Sequence, residues 1–259
     1  MLGRLRTLYL ILNYKTLLII AIAVTSTAIC RRLGLSADFP MAVVLTAVVF
    51  PIVFSISAAY QRREKALAEY ANMKAHGQVI YFATRDWLEN EQPALQDELR
   101  KLLTKLFEGT RDMLMAPKSE MRKREKKVYG AFSELSLFVR HALRANGLAA
   151  GEVSRCNQYL SKALISFETI KHIYEYRTPI SLRTFSDFFL VVLPFLYGPY
   201  FAHLGEDYPT GLIYIPPIIF SLVLVTLDNI QDHLENPFDQ IGEDDIQMNV
   251  DEFIGQLQA

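Results

Sequence analysis

From Pro40 to Gln61 the chain carries no charged side chain, and Arg62, Arg63, Glu64 and Lys65 then follow without a gap. A helix that crosses ~30 Å of hydrocarbon needs ~20 mostly apolar residues. Pro40–Tyr60 meets that length, and the charged cluster marks where it leaves the apolar phase. Three further runs are nearly as apolar. Thr16–Cys30 extends backward through "LYLILNY" with Lys15 as its only charge, and Phe188–Leu204 is rich in aromatics and interrupted by Pro194 and Pro199. Leu212–Leu227 opens on "IYIPPIIF". The short connections "RRLGLSADF" and "GEDYPTG" make each pair of runs a hairpin.

Hydrophobic residues make up 51% of the 259 residues, yet 21% are charged, and mean hydropathy is +0.15. That mixture means segregation: apolar spans on either side of a charged insert. The insert, 61–182, reads as helical throughout, with apolar positions recurring at three, four or seven residues. Leu67, Tyr70, Met73, Ile80, Thr84 and Trp87 form one such series; Leu95, Leu99, Leu102, Leu106 and Met113 form the next. Leu135, Phe138 and Ala142, then Leu160, Leu164, Phe167 and Ile170, continue it. "APKSEMRKREKK" reads as a solvated basic loop, and "ANGLAAGE" as a helix end at Gly147 with a restart near Gly151. Nothing breaks the helix between Ala59 and Asn72, so the bundle is expected to continue the second span.

The expected fold is therefore an all-α membrane protein with four transmembrane helices and a large cytosolic helical bundle. Its segments are 1–60 (the N-terminal segment and spans one and two), the insert 61–182, 183–230 (spans three and four), and the tail 231–259. Arg62, Arg63 and Lys65 after the second span, and Arg177 and Arg183 before the third, place insert and both termini in the cytoplasm. Arg31 and Arg32 oppose that orientation.

Several functions lose support. A net charge of −1 offers no basic excess for nucleic acid. The two cysteines form no disulfide framework, and the first apolar run has no cleavage site of a signal peptide. The histidines are scattered, and no nucleophile elbow, phosphate loop or dinucleotide fingerprint is present. No enzyme is expected. Asp187 and Asp228 sit at span ends, where a hydrated or capping role is expected.

Three segments, "FSISAAYQRREK" onward, "TPISLRTFSDFF" onward and "LDNIQDHLENPF" onward, are together similar to the bestrophin family over roughly residues 10–255. "FSISAAYQRREKALAEYANMKAHGQVIYFATR" resembles the end of that family's second span, with a Phe before a small-residue stretch and a long cytosolic helix. "TPISLRTFSDFFLVVLPF" resembles its third-span entry, and "LDNIQDHLENPFDQIGEDDIQMNVDEF" its post-membrane segment. The resemblance implies a bestrophin-like homopentamer in the membrane, with second-span helices around a central pore that passes inorganic anions. Its neck positions fall on Thr46, Phe50 and Phe54; the spacing by itself puts these on one helix face. Thr46 departs from the family, which usually has an aliphatic or aromatic residue there. Arg62 and Arg63 become the cytosolic pore mouth.

In animal bestrophins the residues after Asn-Pro-Phe form a calcium clasp, which makes Asn236, Glu243, Asp244 and Asp245 candidates for calcium or for tail docking. Here "DQIG" separates the carboxylates from "ENPF", a spacing closer to bacterial members. Calcium therefore stands beside a helix-start cap as a reading of this cluster. Two alternatives to an anion channel stay open: a cation-conducting homologue, and a membrane-anchored helical scaffold. The expected location is a prokaryotic inner membrane.

Overall fold

The structure is a computed structural model and describes residues 12–209, 212–240 and 245–257. Among these residues every regular element is helical. They form α1 (Tyr14–Arg32), α2 (Met41–Asp86), α3 (Pro93–Leu114), α4 (Lys118–Leu137), α5 (Ala150–Glu175), α6 (Ile180–Leu196), α7 (Gly198–Leu204), α8 (Ile215–Leu234) and α9 (Val250–Gln256). A π-helical turn at Phe138–Leu143 follows α4 directly, and a 3₁₀ turn at Gly205–Asp207 follows α7. Among the described residues four helical stretches are long and apolar enough to cross a membrane: Tyr14–Arg32, Met41–Asp86, Ala150–Leu196 and Ile215–Leu234. This is a membrane protein.

Contacts divide the described residues into two compact units. The first holds 12–61 and 177–237, the second 62–176 with 238–240 and 245–257. In the first unit α1 packs on α6, α7 and α8, and α6 packs on α8. Ile19, Val48, Ile52, Leu190, Leu193, Phe201, Phe220, Leu224 and Val225 form its core. Asn13 caps α1, its side-chain oxygen accepting from the backbone N–H groups of Lys15 and Thr16.

The third apolar run is placed differently from the expectation of one span over Phe188–Leu204. The helix starts eight residues earlier, after Pro179, and ends at Leu196; Tyr197 leaves helical geometry, and Gly198 and Pro199 open α7. Proline explains both ends. Pro179 stands directly before the first helical residue of α6, and Pro199 offers no N–H to the Phe195 carbonyl, so the α6 hydrogen-bond ladder cannot continue through it.

In the second unit α3 packs on α4 and α5, and α9 packs on α3. Leu99, Met113, Leu135, Phe167 and Ile170 are fully buried there, as the periodicity requires. Leu67 and Trp87 are exposed instead. The basic segment expected as a loop is the opening of α4. Met121, Val128, Phe132 and Leu135 share its buried side. Arg124 spans one turn to Glu120, at 2.7 Å, and donates to the Asp112 carbonyl, at 3.0 Å. A charged run is compatible with helix when its charges pair at i, i+4 and an apolar stripe lies beneath. Gly147, at φ 96°, ends the preceding helix as expected.

Candidate pore-lining helix

Within the first unit α2 has two unlike sides. Val48, Ile52, Ser55 and Ala59 recur at three and four residues and are buried. Val43, Thr46, Phe50, Val53, Phe54, Ser57 and Gln61 lie on the opposite side, all exposed. Thr46, Phe50 and Phe54 thus share one face that no described residue covers. Phe50 is 56% and Phe54 65% exposed. Their rings touch, with centroids 5.8 Å apart and planes tilted by 43°. One turn before, the Thr46 hydroxyl donates to the Ala42 carbonyl at 2.6 Å. Its proton is therefore committed to the helix, and what it turns outward is an oxygen lone pair and a methyl group. Further along, the Gln61 amide donates to the Ser57 hydroxyl at 3.4 Å. Pro51 lies inside the helix and offers no N–H to the Ala47 carbonyl.

Arg62 and Arg63 follow the span but are half-buried, and their helical phase turns them away from the Phe50–Phe54 side. Arg63 pairs with Glu64 at 2.5 Å. The face that carries Phe50 and Phe54 holds only uncharged residues through Gln61.

In the tail, Asn236 stands two residues past the end of α8, just before a turn at Pro237 and Phe238, and Phe238 is buried in the second unit against Tyr174, 6.1 Å between ring centroids. Gln240 adopts φ 60° and donates to the Ile246 carbonyl at 2.8 Å. Asp245 is buried. Glu243 and Asp244 lie outside the described residues. Among the described residues no three side chains of metal-binding type come together.

Sequence reasoning missed a second feature of the first unit, a chain of ion pairs joining α1, α6 and α8. Lys15 donates to Asp228 at 2.5 Å and lies 3.6 Å from Asp187. Arg183 reaches Asp232 at 2.7 Å and Glu235 at 2.6 Å. Asn229 donates to the Thr16 hydroxyl at 3.3 Å. Asp187 is half-exposed, in keeping with a hydrated role, but the Asp228 side chain is only 5% exposed and neither hydrated nor capping. The correction follows from desolvation: a carboxylate removed from water at the end of a span requires a cation, and Lys15 supplies it. The signal was present, because each of the three apolar runs carries one lone charge near an end. Only the packing brings those ends together.

No family model and no curated protein matches the chain. Solved structures do. A bacterial bestrophin homologue from Klebsiella pneumoniae superposes with a TM-score of 0.72 at 14% identity, covering 95% of each chain. Two point variants of a Klebsiella pneumoniae bestrophin homologue give TM-scores of 0.72 and 0.69 at 16% identity. The first covers 95% of this chain and 98% of that one, the second 96% of each. At such identity the likeness is one of fold, and it extends over nearly the whole of both chains.

Proposed function

We propose that this chain, which has the bestrophin fold, assembles as a homopentamer around a passive anion pore lined by α2. The uncovered face of α2 carries this reading. A helix side facing lipid is poorly suited to Ser57 and Gln61, since the amide and hydroxyl groups they leave unpaired are costly in hydrocarbon. A side facing a water-filled passage accommodates them, and it accommodates Phe50 and Phe54 as a narrow apolar neck between polar stretches.

In such an assembly each of Phe50 and Phe54 forms a ring of phenyl groups. A constriction of that kind closes by losing its water rather than by a plug. When it conducts, the positive edges of the rings face a partly dehydrated anion. Large, weakly hydrated anions such as iodide or nitrate then pass at least as easily as chloride. Thr46 makes the first ring more wettable than an aliphatic side chain would. Arg62 and Arg63 lie just beyond the span and supply positive potential near its cytosolic mouth rather than a charge on the lumen wall. The same orientation leaves both termini in the cytoplasm, with a bacterial inner membrane as the residence.

The test is ion flux in proteoliposomes made with purified protein. Anion flux above that of empty vesicles, with iodide at least equal to chloride, is the expected result. No flux from the wild type, Phe50→Ala or Phe54→Ala protein would leave the scaffold reading. One observation favours a second reading. The Thr46 oxygen turned outward and the lack of a fixed positive charge on the α2 face suit a cation as well. A cation-selective reversal potential would decide for it.

A further inference from the structure

In the first unit, where α2 and α8 begin, an apolar trough of about 450 Å³ opens between α7 and α8. Tyr200, Phe201 and Leu204 of α7 form one wall, and Ile215, Pro216, Ile219 and Phe220 of α8 the other. Met41, Tyr208 and Leu212 complete it, and among the described residues none that lines it is charged.

The chain leaves this space for identifiable reasons. Gly198 seats the start of α7 so closely on α1 that a Cβ there would lie 2.2 Å from the Ser26 hydroxyl. The turn after α7 is held by a second close approach, with Gly205 against Ile213. Pro216 and Pro217 then fix the first turn of α8. With both walls anchored elsewhere, neither can close on the other. Phe201 and Phe220, 5.4 Å apart, make the floor where the walls meet.

We infer that this trough takes one hydrocarbon chain of a membrane lipid. The volume falls in the range of small-ligand sites, ~300–1,000 Å³, and the described lining offers an acyl chain mostly aliphatic and aromatic surface. Tyr200 and Tyr208 bring phenolic hydroxyls among these apolar walls, the residue type that membrane proteins use at the headgroup level. The trough also has a track leading from it. Ile215, Ile219 and Val223 are exposed at successive turns of α8, an apolar ridge ~12 Å long at 1.5 Å per residue. A chain lying in the trough continues along that ridge in the direction of the span, as an acyl chain does in a bilayer. A folded partner would need a complementary ridge; a lipid needs only to be present. The inference rests on the spanning helices and not on conduction.

Native mass spectrometry of the full chain, released from vesicles of a single phosphatidylcholine into mild detergent, tests it. Wild-type protein is expected to retain phospholipid, and Leu204→Trp and Ile219→Trp, which fill the trough with apolar bulk, to lower retention severalfold. Leu18→Trp, an exposed apolar position on α1 away from the trough, keeps wild-type retention. Equal retention in all variants, or no retained lipid in the wild type, overturns the inference. A changed oligomeric mass in the trough variants with no lipid in the wild type assigns the trough to a second copy and also overturns it. Ion flux measured on the same preparations reports separately on the pore.

Discussion

The Lys15 ammonium lies 2.5 Å from the Asp228 carboxylate, joining the start of the first span to the last turns of the fourth across 213 positions of sequence. Asp228 is nearly shut off from solvent while Lys15 keeps about a quarter of its side-chain surface, so the lysine is the wet partner and the aspartate the dry one.

Removing the wet partner strands a buried negative charge. Lys15→Met is expected to cost ~3 kcal/mol, the scale for breaking a buried pair. Lys15→Met with Asp228→Leu should recover most of that, because an apolar pair leaves no charge to solvate. Thermal unfolding in detergent compares the two; a double variant no more stable than the single one would refute the account.

Phe54 is the more exposed of the two residues proposed for the neck and stands on the span side that no described residue covers. Phe54→Ala should widen the neck and ease its wetting, raising anion current or basal opening severalfold in bilayer recordings. An unchanged current would remove Phe54 from the neck.

Gly198 has no space for a methyl group against Ser26. Gly198→Ala is expected to destabilise by ~1–3 kcal/mol through overpacking, and Gly198→Val by more. A wild-type melting midpoint for Gly198→Ala would show that α7 is not fixed to α1 in this way.

In the tail, Phe253 is 5% exposed and its ring centroid lies 4.8 Å from that of Phe107 on α3. Phe253→Ala should cost ~3 kcal/mol in the second unit, the lower part of the range for buried aromatics, and speed proteolysis of the last residues. A tail cut at the same rate in both proteins would mean that this contact does not hold it.

The calcium reading is tested by Asp244→Asn with Asp245→Asn. If the acidic cluster binds calcium in gating, current should respond to a chelator in the wild type and not in the double variant. Identical responses in both would leave the cluster a cap or a docking element.

Much of the fold was legible because hydrocarbon imposes a one-dimensional rule. A long uncharged run such as Pro40–Gln61 has few alternatives to a spanning helix, and a 3.6-residue period suffices to group Thr46, Phe50 and Phe54 on one side. The uninterrupted helix past Ala59 was legible for the same reason, since nothing in the sequence stops it. Local chemistry was less decisive where two signals competed. The basic run from Arg122 to Lys127 reads as a loop by charge, but Met121, Val128 and Phe132 beneath it make it a helix.

What the sequence by itself determined is therefore the number of apolar spans, their separation by a charged helical insert, and the residues that share each helix face. These depend on residues within a few turns of one another. What only the tertiary structure decided is which face is covered and which lone charges meet. Phe50 and Ile52 are equally apolar in sequence, and packing alone buries Ile52 and leaves Phe50 bare. Lys15, Asp187 and Asp228 are each an isolated charge in the chain. They become a network because α1, α6 and α8 pack with those ends together, where a buried carboxylate is tolerated only beside a cation.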